Sequence, residues 1–156
     1  MSKEGGARVG LRFYALRERL TSRNYPSSDE EVRMNQAADR RVLVVEDDED
    51  SALLLAETLG DHGYIVEVAH DGTSALEKAI AFLPEIGVFD VGLPDMDGYQ
   101  LATRMRALKE LPKGLRLIAL TGYGGDEERR RSREAGFDVH LVKPVMPDVL
   151  TKALET

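Results

Sequence analysis

Ile86-Gly87-Val88-Phe89-Asp90-Val91-Gly92-Leu93-Pro94 is an apolar run that ends in a carboxylate and then turns. A run of this kind reads as a buried strand, and an ionised Asp90 at its end is costly unless a neighbour holds its charge. Three other apolar runs end in the same manner. Arg41-Val42-Leu43-Val44-Val45 leads into Glu46-Asp47-Asp48, Leu117-Ile118-Ala119-Leu120 into Thr121, and Val139-His140-Leu141-Val142 into Lys143-Pro144. Acid, acid, hydroxyl and amine at four strand ends describe one site if the strands lie parallel.

Working outward, short apolar runs alternate with helical patterns from Arg41 onward, which is the mark of βαβ units and a parallel sheet. Strands are predicted at 41–46, 64–69, 86–90, 115–120 and 138–142. They are rich in Val, Ile and Leu without strict polar alternation, as strands buried on both faces are. Ala52, Leu55, Ala56 and Leu59 fall on one helical face, with Gly63 as the stop. Leu76, Ala79, Ile80 and Leu83 repeat that spacing up to Pro84, and Leu101, Met105 and Leu108 line a third helix. A charged helix near 126–135 is predicted to carry Asp126–Arg130 and Glu127–Arg131 pairs. Val149, Leu150, Ala153 and Leu154 make a last, short helix. The prediction is an α/β fold of five β/α units, in which ligands sit at the carboxyl ends of the strands.

The chain has 156 residues, 42% of them apolar and none cysteine. That suits one packed domain, 40–156, preceded by an extension, 1–39. It excludes disulfide staples, thiolate metal sites and cysteine nucleophiles. No apolar run approaches the roughly 20 residues of a membrane span, and the first residues lack a secretory signal, so a cytoplasmic protein is expected. The net charge of −7 is unevenly placed: residues 1–25 carry +4, residues 26–39 carry −3, and the remainder −8. An acidic domain argues against direct nucleic-acid binding. In the extension, Val9, Phe13, Leu16 and Leu20 fit one face of a basic helix, while Val9, Leu11 and Phe13 alternate equally well as a strand. Pro26-Ser27-Ser28-Asp29-Glu30-Glu31 reads as a linker or a helix start.

Glu46, Asp47 and Asp90 converge if their strands are neighbours. Two carboxylates about 4 Å apart repel by roughly 4 kcal/mol at an effective dielectric near 20. A hard divalent cation removes that penalty, and Mg²⁺ suits it because it accepts a few carboxylates and keeps several waters. A carboxylate beside Mg²⁺ is a competent nucleophile toward phosphorus. Lys143 and Thr121 are then placed to balance and hydrogen-bond the oxygens of an incoming phosphoryl group. Each has a plainer alternative: Thr121 as a turn cap before Gly122, Lys143 as a surface lysine, the acidic run as a solvated loop.

Val42 to Asp48, Asp90 to Gly98, Ala119 to Gly122 and Val142-Lys143-Pro144 together resemble the receiver domain of bacterial two-component response regulators, over about residues 40–156. The resemblance implies a doubly wound, flavodoxin-like sheet of order 2-1-3-4-5. It implies that Asp90 accepts phosphate from a histidine kinase or a histidine phosphotransfer protein. Asp47, Asp90 and the Gly92 carbonyl would ligate Mg²⁺, with Glu46 acting mainly through water. Lys143 and Thr121 would contact the phosphoryl group. The protein would catalyse only its own phosphorylation and dephosphorylation, and the face built from the strands at 115–120 and 138–142 (β4 and β5) and the helix near 126–135 (α4) would change to alter binding of a downstream protein target. A homodimer is compatible with this reading.

Two positions depart from the commonest pattern. Glu46 replaces the more frequent Asp, and the switch position three before the lysine is His140 rather than Tyr or Phe. Nothing follows the last helix, so a stand-alone regulator is one expectation. The receiver end of a hybrid histidine kinase, passing phosphate to a phosphotransfer protein, is the other. An aspartyl-phosphate hydrolase would also use Asp and Mg²⁺, but it resembles Asp-x-Asp at one strand end, and Asp90-Val91-Gly92 lacks the second acid.

Overall fold

A computed structural model of the chain describes residues 40–155, and the helix, strand and linker readings for 1–39 fall outside the described residues. The order of elements is β1 (Arg41–Val45), α1 (Glu49–Asp61), β2 (Ile65–Ala69), α2 (Gly72–Phe82), β3 (Ile86–Asp90), α3 (Gly98–Ala107), β4 (Arg116–Thr121), α4 (Asp126–Ala135), β5 (Val139–Val142) and α5 (Pro147–Leu154). The five strands form one sheet of order β2-β1-β3-β4-β5, and every pairing is parallel. Fold class, strand number and order agree with the sequence reading, and each strand starts and stops within one residue of its expected place.

Period-two alternation divides the strands between two cores. Leu43, Val45, Phe89, Leu117 and Ala119 point to one side, where they meet Ala75 and Ala79 of α2, Leu101 and Met105 of α3, and Phe137. Phe137 packs edge-on against Phe89, with ring centroids 6.0 Å apart. Val42, Val44, Ile86, Val88, Ile118 and Leu120 point to the other side, against Leu59 of α1 and Leu150 and Leu154 of α5. Burying each such Leu, Ile or Val contributes about 1.5–3 kcal/mol. The central strands are apolar on both faces because both faces are covered.

Three helices start at an aspartate whose side chain accepts a backbone N–H three residues on: Asp48 from Ser51, Asp71 from Ser74 and Asp97 from Gln100. Asp48 is thus taken up by capping, and Glu49 and Asp50 sit in the first turn of α1, where the helix dipole favours acids. Two expectations are corrected. On α2 the buried face runs through Ala75 and Ala79 with Leu76 partly covered, while Ile80 and Leu83 are exposed. Leu83 leaves the face at the helix end, where Pro84 stops the ladder and Leu83 turns left-handed (φ 54°), its carbonyl taken by Arg41 Nε at 2.9 Å. Ile80 lies about 40° further around the helix than the partly covered Leu76, beyond the face set by Ala75 and Ala79. On α4 the ion pairs are Arg130 with Glu127 (2.5 Å) and with Glu134 (3.7 Å). Arg131 instead lies over the Tyr99 ring at 4.5 Å, so the arginines choose between acids and a neighbouring aromatic face.

Gly98 opens α3 against the end of β3. A Cβ there would lie 2.6 Å from Val91 Cα and 2.8 Å from the Asp90 carbonyl oxygen. Both are backbone atoms, so nothing can swing away. Gly98→Ala is expected to cost about 1–3 kcal/mol in urea unfolding; an unchanged midpoint would refute the close approach.

Candidate functional site

Strand register assembles the site. Val45 lies opposite Phe89, so Glu46 emerges beside Asp90; Thr121 lies opposite Val142, so Lys143 follows beside it. The Lys143 amide donates to the Thr121 carbonyl at 2.7 Å, and the Glu46 amide to the Ala69 carbonyl at 3.0 Å. Carboxylate oxygens of Glu46, Asp47 and Asp90 all lie within 4.8 Å of one another. Lys143 Nζ stands 3.4 Å from Asp90 Oδ1 and 3.4 Å from Glu46 Oε2. The Gly92 amide donates to Asp90 Oδ1 at 3.1 Å.

These groups differ in access. Glu46 is 3% exposed, and Asp47 is open to solvent. Burial, with the adjacent Asp90 second, pushes the Glu46 carboxyl up to about 7, against the downward pull of Lys143. Three crowded carboxylates with one amine between two of them leave negative charge uncompensated. The donors are all hard oxygens, and an oxygen-seeking divalent cation such as Mg²⁺ fits that set.

Thr121 does what its plainer alternative predicted: its Oγ1 accepts the Tyr123 N–H at 3.1 Å and lies 3.3 Å from the Tyr123 carbonyl. That carbonyl also accepts from His140 Nε2 at 3.0 Å, and His140 Nδ1 meets Ser132 Oγ at 2.7 Å. Ser132 is the buried residue of α4. With Nε2–H donating to a carbonyl, a neutral imidazole leaves Nδ1 to accept from the serine hydroxyl. One hydrogen-bonded chain therefore joins Thr121, the 121–125 loop, β5 and α4.

Sequence reasoning missed three participants. Ser132 looked like one polar residue in a charged helix. His70 stands after β2, its Nδ1 2.9 Å from the Glu46 carbonyl. Asp95 accepts from the Gly72 and Thr73 amides and from Thr73 Oγ1 at 2.8–2.9 Å, which ties the loop after β3 to the start of α2. Nothing local in Pro94-Asp95-Met96 signals a contact some 22 residues away. Those donors, the Gly72 amide first, hold the Asp95 carboxyl down to about 2. A depressed acid stabilises the fold above its ordinary value and loses that contribution as pH falls toward the folded value. Asp95→Asn is thus expected to melt below the parent protein at neutral pH, with the difference closing between about pH 4 and pH 2. Parallel melting curves over that range would refute the anchor.

Five parallel strands in this order, with acids, a hydroxyl and a lysine gathered at their carboxyl ends, define a receiver domain of two-component signalling. The family model for the response regulator receiver domain matches residues 42–155, and the chain belongs to that family. It is 42% identical over 124 residues to an uncharacterized 14.6 kDa protein in the sodA1 3′ region of Leptolyngbya boryana, covering 78% of this chain and 92% of that protein. It is 39% identical over 129 residues to the sensor histidine kinase RcsC of Escherichia coli, covering 83% of this chain but 13% of the kinase. Among solved structures, the chemotaxis protein CheY4 of Vibrio cholerae superimposes with a TM-score of 0.71 at 31% identity, covering 76% of this chain and 98% of that one.

Proposed function

We propose that this chain is a phospho-accepting switch in a two-component phosphorelay, with Asp90 as the acceptor. The observation that carries this is the meeting of Glu46, Asp47 and Asp90 within 4.8 Å, with the Lys143 amine 3.4 Å from Asp90. An Asp90 oxygen would form the new bond to phosphorus as the bond to the histidine nitrogen of a kinase or phosphotransfer protein breaks, and that nitrogen keeps the bonding pair. Asp47, Asp90 and the Gly92 carbonyl would hold Mg²⁺, with Glu46 behind them through water. Bound there, the ion would neutralise carboxylate and phosphoryl charge. Lys143 would turn to a phosphoryl oxygen, and Thr121 would hydrogen-bond another.

For Thr121 to do so it must leave Tyr123, which it holds in this conformation. Releasing Tyr123 alters the bond to His140 and through it the hold on Ser132. His140 would therefore be a switch residue fastened at both ring nitrogens. The partner-binding change would appear on β4, α4 and β5.

The test pairs phosphotransfer from a panel of histidine kinases with amide exchange under beryllium fluoride. Expected are labelling by at least one kinase and altered exchange within residues 121–140. Unchanged exchange there would remove the switch while leaving the acceptor reading intact. The identity with RcsC supports a second reading, the receiver portion of a hybrid kinase, in which Asp90 passes its phosphoryl group to a phosphotransfer protein. Among the described residues no helix is long and apolar enough to cross a membrane; a cytoplasmic site of action is part of the proposal.

A further inference from the structure

The outer face of α1 is acidic and apolar together. Leu53 is 45% and Leu54 67% exposed. At about 100° per residue, Asp50, Glu57 and Asp61 fall between these two leucines around the helix, with Glu49 beside Leu53. The helix carries no Lys or Arg. Two large apolar side chains ringed by carboxylates make a helix face suited to a cationic, apolar cover.

Such a cover exists in the same chain. Val9, Phe13, Leu16 and Leu20 have the spacing of one helical stripe. On the same geometry Arg8, Arg12, Arg19 and Arg23 line one edge of that stripe and Arg17 the other. Residues 1–25 carry +4 against the −8 of residues 40–156. The point of attachment is also right. The Ile65 amide donates to the Arg40 carbonyl at 2.9 Å, so the extension joins the domain four residues beyond the end of α1. Residues 24–39 can extend up to about 55 Å, far more than the roughly 20 Å length of α1.

We propose that residues 8–23 dock along the outer face of α1 in the same molecule, placing Val9, Phe13, Leu16 and Leu20 on Leu53 and Leu54 and the arginines among Asp50, Glu57 and Asp61. Tethering raises the local concentration of the segment to the millimolar range, so weak contacts suffice. The interaction is electrostatic in part and weakens with salt. While docked, it denies this face to any other protein. The proposal stands apart from the phosphorelay reading: it concerns a different surface and survives if Asp90 is never phosphorylated.

The absence of cysteine allows a clean test on the full chain. A nitroxide is placed on Ser22→Cys, and the amide signals of Ser51–Asp61 are compared with those of α4. At low salt the α1 signals are expected to be at least halved in intensity and the α4 signals retained. Charge reversal at Arg12, Arg17 and Arg19 to Glu restores the α1 signals, and adding Glu57→Lys with Asp61→Lys brings the broadening back. Leu54→Glu, at an exposed position that folding does not need, also restores them. Equal effects on α1 and α4, or α1 signals indifferent to the charge reversal, would overturn the docking. Broadening of an unlabelled copy by a spin-labelled one would overturn its intramolecular form and assign the contact to a second copy of the chain.

Discussion

Asp90→Asn abolishes phosphoryl incorporation from every kinase that labels the parent protein: this is the largest expected effect. The amide keeps an oxygen for the Gly92 N–H, which now sits 3.1 Å from Asp90 Oδ1, so the loop geometry survives. What goes is the nucleophile, because a neutral amide has no anionic oxygen to offer phosphorus. The substitution also takes one charge out of a crowded group and relieves the neighbour that raises the Glu46 carboxyl. The variant is thus expected to melt no lower than the parent, which separates lost chemistry from lost folding. Label retained on a folded Asp90→Asn variant would exclude Asp90 as the acceptor.

The second large effect is expected from removing the divalent ion. Carboxylates within 4.8 Å of one another repel by roughly 3–4 kcal/mol per pair at an effective dielectric near 20, and a phosphoryl group adds to that burden. A single amine, shared between Glu46 and Asp90, does not offset it. Chelation by EDTA should slow transfer by about 10²-fold or more, as the repulsion of one uncompensated pair implies. Added Mg²⁺ should restore it. Asp47→Asn should weaken Mg²⁺ binding measured calorimetrically while leaving the fold intact, since Asp47 is exposed. Transfer at full rate in EDTA would refute a metal-dependent site.

The architecture was legible because the strands announce themselves. Val42 to Val45 and Ile86 to Phe89 are apolar at consecutive positions, which only a strand covered on both faces requires. The site was legible for a related reason: polar residues at the ends of such strands have few uses other than a shared one. Side-chain partners across helices were harder. Asp126–Arg130 and Glu127–Arg131 satisfy the local spacing rule, yet Arg131 finds Tyr99 on α3, and no rule within one helix can foresee an aromatic on the next. Leu83 fits the apolar stripe of α2, but the left-handed turn before Pro84 lies outside that periodicity, and Ile80 sits at the far edge of a face that Ala75 and Ala79 set. Ser132 reaches His140 on the next strand, eight residues on, and Asp95 reaches Thr73, 22 residues back; single polar residues carry no trace of such partners.

The anchoring of Asp95 has a mechanical consequence. On one flank of Asp90, the proposed acceptor, the loop that holds Gly92 is stapled to a helix start by three donors converging on one carboxylate. On the other flank, the loop after Thr121 is held by the Thr121 hydroxyl, the His140 imidazole and Arg129 Nε on the Gly124 carbonyl, all from β4, β5 and α4 themselves. A bulky new group on Asp90 would therefore press on one wall pinned to a separate helix, α2, and on another tied to β5 and α4, which can shift with it. In the switch proposed above, displacement would run toward the second wall, which would give the domain a built-in direction of response.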